Sequence, residues 1–211
     1  LYEIDFVQIF DEVLSQLRLP GFTIKINNRK ILAGIAETIG ASDRLTDITV
    51  AIDKLDKIGQ QGVLQELSNM GLPDEKVQQL LPIFTVERDN EMTLQRTESF
   101  IKDSAIGQKG IEELRYILAH VEAIGLDRGT LLFEPTLARG LDYYTGAIFE
   151  VVAHDVDMGS ICGGGRYDDL TGIFGKEGLS GVGISFGAER IYDVMEQLHL
   201  FPEETEVGVD V

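Results

Sequence analysis

Between residues 3 and 18 apolar side chains recur every three or four positions. Ile4, Val7, Phe10, Val13, Leu14 and Leu17 share one face, and the pattern stops before Pro20, which predicts an amphipathic helix. Phe22-Thr23-Ile24-Lys25-Ile26 then alternates as a half-buried strand does. Asn27-Asn28 offers an N-cap for a following helix, and Gly40 suits the left-handed residue that ends one. From 44 to 125 the helical period takes over. Ile48, Ile52, Leu55 and Ile58 form one stripe, and Val63, Leu64, Leu67 and Met70 form the next. Pro73 stands at a helix start with Val77, Leu80 and Leu81 behind it. A last stripe, Ile111, Leu114, Ile117, Leu118 and Val121, stops at Gly125. Short helices with separate apolar faces predict a small helical unit inserted into a strand-containing core.

After Gly129 the period shortens again. Strands are expected at 130–133, 147–153, 159–162 and 181–187, and their short connections favour an antiparallel sheet. A helix from Ala188 to about Leu198 closes this part, and Pro202 with Glu203-Glu204 reads as a linker. The fold class is α+β, an antiparallel sheet flanked by helices. Its expected divisions are a first core segment at 1–43, the helical insertion at 44–125, a second core segment at 126–200, and a linker into a further domain at 201–211.

Composition narrows the class. With 211 residues, 44% hydrophobic and 26% charged, the chain is globular and has no disordered tract. The formal charge of −18 argues against broad nucleic-acid binding, because neutralising phosphates takes clustered Lys and Arg. The single cysteine, Cys162, excludes an internal disulfide. It has no histidine in its own peptide, which argues against nucleophilic chemistry. His120, His154 and His199 are scattered without metal-ligand spacing. No apolar run approaches a membrane span and no signal-peptide pattern is present, so the cytoplasm is the expected compartment.

Three strings concentrate the chemistry: Arg139-Gly140-Leu141-Asp142-Tyr143-Tyr144-Thr145-Gly146, Gly163-Gly164-Gly165-Arg166-Tyr167-Asp168, and Gly181-Val182-Gly183-Ile184-Ser185-Phe186-Gly187-Ala188-Glu189-Arg190. Arginine supplies forked, permanently charged donors for phosphate and carboxylate. Tyrosine supplies a flat apolar face with a hydroxyl at its tip. Glycine lets backbone approach a flat or charged ligand. Together they suit a small anionic molecule with an aromatic part, such as a nucleotide beside a second substrate.

In order and spacing these strings resemble the second half of the class II catalytic domain of the histidyl-tRNA synthetases. Residues 137–146 resemble that family's own signature peptide, 162–168 its second signature, and 183–190 class II motif 3. The resemblance implies an enzyme that activates histidine with ATP and passes it to tRNA(His). It implies Mg²⁺ held mainly by ATP oxygens, no protein metal ligand here, and a homodimeric parent. In the family, the 44–125 insertion approaches the tRNA acceptor stem, and 201–211 would lead into the anticodon-binding domain, which would make most of the tRNA contacts. No class II motif 1, arginine-bearing motif 2 or acidic peptide for the substrate amino group is found, so the chain reads as a fragment that is inactive alone.

The resemblance assigns roles residue by residue. Arg139 is the catalytic cation, stabilising charge that builds on the α-phosphate as the histidine carboxylate attacks, and it also contacts histidine. Tyr144 faces the imidazole, Tyr143 is the second candidate, and Tyr167 bonds near the amino group. Were Tyr143 and Tyr144 on a strand, they would point to opposite faces. Gly163, Gly164 and Gly165 floor the pocket, with Gly165 beneath the adenylate. From the residues themselves, that glycine run also reads as a bend between strands. Arg190 lies against adenine and reaches the terminal phosphates, and Gly187 leaves room beneath the ring. Arg166 is expected to pair with Asp168 or Asp169. Lys54 and Lys57, alternating with aspartates, read as a solvated helix face.

Two rivals share the resemblance. One is the non-catalytic regulatory subunit of ATP phosphoribosyltransferase, which generally lacks the inserted helices. The other is a synthetase-like tRNA-sensing domain attached to a kinase, which departs from the signature at the positions of Arg139, Tyr143 or Tyr144.

Overall fold

The computed structural model describes residues 2–138 and 143–202. Its centre is a five-stranded sheet in the order β2-β1-β3-β4-β5, formed by β1 (Phe22–Asn28), β2 (Gly129–Phe133), β3 (Ala147–Ala153), β4 (Cys162–Arg166) and β5 (Val182–Phe186). The α+β class holds, with a sheet that is mixed where an antiparallel one was expected. β1 pairs in parallel with β2, Phe22 opposite Gly129, whereas β1–β3, β3–β4 and β4–β5 are antiparallel. The cause is connectivity. All the helices between residues 29 and 124 lie between β1 and β2 in sequence, and such a crossover returns the chain in the same direction.

The expected strand at 159–162 is also displaced. β4 begins at Cys162 and takes in the whole glycine run. These glycines form no bend, because strands pair on both sides of them, with Phe149 opposite Gly164 in β3 and Ile184 opposite Gly164 in β5.

Side chains alternate across a strand, and the register gives the sheet two unlike faces. One carries Phe22, Ile24, Ile26, Phe133, Phe149, Val151, Ile184 and Phe186, and it is apolar. Helix α1 (Tyr2–Gln16) covers it with Ile4, Val7, Phe10 and Leu14. The Phe10 ring meets Phe149 and Phe186 edge-on, at centroid distances of 6.3 and 5.6 Å. The other face carries Thr23, Lys25, Asn27, Glu150, Gly163, Gly165, Gly183 and Ser185 together with the apolar Leu132, Ile148 and Val152, so it is mixed, and over β4 and β5 it is largely bare backbone.

Helix α2 (Arg29–Thr38) begins as the sequence indicates. The Asn28 side chain accepts the Lys30 N–H, and Gly40 beyond the last turn adopts φ 68°. There follow α3 (Leu45–Ile52), α4 (Leu55–Asn69), the short α5 (Asp74–Gln78), α6 (Asn90–Phe100) and the long α7 (Ala105–Ile124). Gly59, at φ 68°, breaks α4 near its start, and Ile58 beside it is exposed instead of completing the α3 stripe. α7 ends at Gly125, φ 85°, as expected.

α7 packs against α2, α1 and β1. The α2–α7 crossing is close. A β-carbon on Gly34 would stand 2.6 Å from the Gly107 Cα, so the two glycines let the helix backbones approach. α7 thus packs beside the sheet, on α2, α1 and β1.

Three polar side chains, Asp11 and Asn27 buried and Asn90 half-buried, join distant segments. Asp11 of α1 accepts the backbone N–H groups of Asp127 (2.6 Å), Arg128 (3.2 Å) and Gly129 (2.7 Å), which sets the entry to β2. Asn90, at the start of α6, donates to the Leu131 carbonyl at 2.9 Å and accepts the Phe133 N–H at 2.7 Å. Its amide thus pairs with the outer edge of β2 as a strand would. Asn27 is the third. Two small helices, α8 (Leu170–Ile173) and α9 (Ala188–Gln197), complete the described chain.

Candidate functional site

The three tyrosines singled out in the sequence come together. The Tyr143 ring lies 4.9 Å from Tyr144 and 5.8 Å from Tyr167, meeting the latter at 89°, and Tyr144 and Tyr167 are 6.4 Å apart. Tyr143 and Tyr144 precede β3 and are not in a strand. Alternation therefore does not apply, and both rings join the same cluster.

The cluster stands over glycine. A β-carbon on Gly165 would lie 2.8 Å from Cδ1 of Tyr144, and one on Gly183 would lie 2.6 Å from the Tyr167 hydroxyl. A β-carbon on Gly181 would meet the Tyr167 ring at 2.4 Å. Gly163 and Gly165 share the polar face of β4. Gly164 points the other way, where a β-carbon would stand 2.3 Å from the Gly183 carbonyl. The bare floor thus comes from alternate residues of β4 and from Gly183 of β5, while Gly164 lets the two strands approach.

Backbone and side-chain bonds fix the tyrosine peptide. The Thr145 N–H donates to the Arg166 carbonyl at 2.8 Å, and the Arg29 N–H donates to the Gly146 carbonyl at 2.9 Å. The Thr145 hydroxyl donates to Asp168 at 2.9 Å and accepts the Asp168 N–H at 3.0 Å. Arg166 turns to the apolar-face side, where its Nε donates to Glu3 at 2.5 Å and an Nη to Asp168 at 3.1 Å. The expected Arg166–Asp168 pair is present, and Glu3 is a partner that the sequence did not indicate. Burial pulls both carboxyl groups upward in pKa, but their bonds prevail. Arg166 holds Glu3 below its usual range, and Ser180, Thr145 and Arg166 hold Asp168 below its own.

Burial, followed by the neighbouring Tyr143 hydroxyl, pushes Tyr144 up to about 12. Its phenol stays protonated at neutral pH and can donate or accept. Cys162 is buried at the start of β4, and burial pushes its thiol up to about 12 against a weaker opposing bond from Gly187. That keeps it a poor nucleophile, as the sequence suggested.

Arg190 occupies the first turn of α9. Its guanidinium is exposed and donates to the Ser160 carbonyl at 2.5 Å. A β-carbon on Gly187 would stand 3.0 Å from the Ile161 carbonyl and 3.7 Å from the Arg190 Cβ. Arg139, the expected catalytic cation, lies with Gly140, Leu141 and Asp142 outside the described residues.

The segment leading to Arg139 is held by a residue that the sequence analysis read only as part of a helix cap. Asn27 donates through Nδ2 to the carbonyls of Pro135 (3.0 Å) and Leu137 (2.9 Å), and it accepts the Asn28 N–H at 2.8 Å. Beside it a cleft of about 200 Å³ opens between Lys25, Glu134, Glu150 and Ala138 on the sheet side and Asp53 and Asp56 on the helical side. A larger cleft of about 420 Å³ lies elsewhere, between Asn28, Lys30, Glu113 and Arg166. Lys30 and Asn28 both bond Glu113 there, so its polar walls satisfy one another. Among the described residues no three His, Cys, Asp or Glu side chains are grouped to hold a metal ion, and no helix is long and apolar enough to cross a membrane.

Comparison with known proteins fits this arrangement. The family model for histidyl-tRNA synthetase matches residues 2–191. The chain is 52% identical over 211 residues to a histidine–tRNA ligase of Phocaeicola vulgatus, covering 100% of this chain and 46% of that protein. It is 56% identical over 209 residues to that of Porphyromonas gingivalis, covering 99% and 46%. The chain thus spans less than half the length of these curated relatives. Among solved structures, the histidyl-tRNA synthetase of Nostoc sp. PCC 7120 superposes with a TM-score of 0.86 at 29% identity, over 95% of this chain and 48% of that one. A Bacillus halodurans protein described as an ATP phosphoribosyltransferase regulatory subunit/histidyl-tRNA synthetase shares the fold, with a TM-score of 0.76 at 18% identity over 93% and 49%.

Proposed function

Because the chain belongs to the histidyl-tRNA synthetase family, we propose that the protein containing it is a histidine–tRNA ligase, and that this segment supplies most of the histidine pocket and one side of the ATP site. One observation carries the assignment to this face of the sheet: three tyrosine rings gather over a floor without β-carbons, made by Gly165 and Gly183. Such a floor admits a flat adenylate against backbone, and the rings supply an aromatic wall with hydroxyls for an imidazole.

In this reading the histidine carboxylate oxygen attacks the α-phosphorus of ATP. The new phosphorus–oxygen bond forms as the bond to the β-phosphate bridge breaks, and pyrophosphate leaves. The 3′-terminal hydroxyl of tRNA(His) then attacks the histidyl carbonyl and AMP departs. Tyr144 contacts the imidazole, with Tyr143 packed against it, and Tyr167 lies near the amino group. Gly163 and Gly165 leave room for the adenylate. Arg190, exposed beside Gly187, lies against adenine and reaches the terminal phosphates. Arg139 stabilises the charge that builds on the α-phosphate, a role resting on the family match. Mg²⁺, when bound with ATP, neutralises phosphate charge and is held mainly by ATP oxygens. Helices α3–α6 form the inserted unit facing the tRNA acceptor end. The whole ligase is cytoplasmic and a homodimer, and most of its tRNA contacts lie outside this segment.

The regulatory-subunit reading is not favoured. The relatives near 50% identity are ligases, and the likeness to the B. halodurans protein extends only to fold.

Histidine-dependent pyrophosphate exchange in the whole ligase tests the assignment. Arg139→Ala should lower kcat by about 10²–10³-fold while the KM for histidine changes far less, as for a group that acts in the transition state. An Arg139→Ala enzyme with near-normal turnover would remove its catalytic role.

A further inference from the structure

The side chain of Asn27 is fully buried, and its bonds all go to backbone. The two carbonyls it serves lie more than a hundred positions away, in the turn that leads into the signature peptide. We propose that Asn27 is a positioning residue for Arg139: by holding the Pro135 and Leu137 carbonyls it sets the path of the chain into the catalytic peptide. The inference rests on the role proposed above for Arg139.

The argument begins where the ladder between β1 and β2 ends. The Glu134 N–H still donates to the Ile26 carbonyl at 3.0 Å. The next residue, Pro135, has no N–H with which to continue, and the chain turns, with the Leu137 N–H closing back onto the Glu134 carbonyl at 2.9 Å. Asn27 follows Ile26, and its amide takes over at that point. One NH₂ group serves two carbonyls, at 3.0 and 2.9 Å, while the oxygen is occupied by the Asn28 N–H. Asn27 is thus a buried side-chain clamp between the turn and the sheet, beside the longer Lys25–Glu134 pair at 3.8 Å.

The chemistry demands an amide. Aspartate would face both carbonyls with an acceptor, serine could donate to only one, and alanine to neither. Leu137 stands two residues before Arg139 in sequence, so Asn27 holds the last described turn before that residue. A misplacement of about 1 Å at a reacting centre can cost roughly 10²-fold in rate. Asn90 provides an internal comparison. It too bonds backbone at two points, on the outer edge of β2, but its partners, Leu131 and Phe133, lie earlier in the strand.

The test uses the whole ligase with Asn27→Ala, Asn27→Ser, Asn90→Ala and Arg139→Ala, plus the Asn27→Ala/Arg139→Ala double variant, all assayed by pyrophosphate exchange per folded enzyme. Asn27→Ala should lower kcat about 10–100-fold with the KM values for histidine and ATP changed less than about threefold. In the Arg139→Ala background it should add almost nothing, because its effect passes through that side chain. Asn90→Ala should lower the melting temperature and leave kcat unchanged. Should Asn27→Ala fold poorly, Asn27→Ser, which keeps one donor, should show a smaller loss of kcat in the same direction. Faster amide exchange across 134–145 in either variant would support the clamp. Normal turnover in Asn27→Ala beside a slow Arg139→Ala enzyme would overturn the positioning role alone, as would fully multiplicative effects in the double variant. Normal turnover in Arg139→Ala would overturn this inference together with the reading it rests on.

Discussion

Tyr144 lies directly over Gly165: a β-carbon at that glycine would stand 2.8 Å from Cδ1 of the ring and 2.7 Å from the Ala147 carbonyl. Neither neighbour can yield cheaply, since one is backbone and the other is wedged among Tyr143 and Tyr167. Gly165→Ala should therefore destabilise the fold by about 1–3 kcal/mol and raise the KM for histidine. Gly163, on the same face, would place a β-carbon 3.4 Å from the Phe149 carbonyl, an ordinary contact. Gly163→Ala should keep a near-normal melting temperature while the added methyl raises substrate KM values. Thermal unfolding and exchange kinetics on both variants check this. Equal thermal losses would show that the glycines serve β4 itself.

Tyr144→Phe removes a hydroxyl and keeps the ring over Gly165. If that hydroxyl pairs with an imidazole nitrogen, the KM for histidine should rise by the equivalent of about 1–3 kcal/mol, with the KM for ATP within twofold. Because burial pushes this phenol up to about 12, histidine affinity should show no titration attributable to Tyr144 between pH 6 and 9. Equal losses for both substrates would mean that the tyrosine supports the fold and does not read the side chain.

The Glu3–Arg166 pair predicts an acid limb. Glu3 is held below 4.5 in the folded chain despite the upward pull of burial, and Asp168, bonded to the same guanidinium, is held below 3.8. A lowered folded pKa means that the unfolded chain binds more protons in this window. The stabilisation is then complete above about pH 5 and is lost as pH falls through the folded values. Glu3→Gln should lower stability at pH 7 by roughly 1.5–3 kcal/mol, the usual worth of a bond to a charged group, and should flatten the fall between pH 5 and 3. Denaturant midpoints across that range decide it, and an unchanged acid limb would show the pair to be neutral.

Asp11 satisfies three successive amides at the entry to β2 and is 5% exposed. Asp11→Ala leaves those donors short of partners inside the protein and should cost about 2–4 kcal/mol, whereas Asp11→Asn, which keeps an acceptor, should cost less. Urea midpoints at constant m-value measure both. A loss under 1 kcal/mol in Asp11→Ala would indicate that water replaces the carboxylate.

The sequence by itself determined what is local, and it marked the candidate residues of the site. The period of α1, the alternation of β1, the Asn28 cap, the left-handed Gly40 and the stop of α7 at Gly125 are all legible, because each depends on residues within a turn or two. The family was legible too, in the order and spacing of the tyrosines and glycines proposed for the site.

Only the tertiary structure decided what depends on distant pairing. β1 and β2 lie side by side in parallel across a long helical crossover, and a glycine run that reads as a bend becomes a central strand because β3 and β5 bond it from both sides. Glu3 reaches Arg166 across 163 positions, and Asn27 reaches Leu137 across 110. Periodicity records which face of an element is buried, whereas the partner on that face is chosen by the geometry of the whole sheet. A buried polar side chain such as Asn27 therefore looks like one more capping residue until the carbonyls it satisfies are in place.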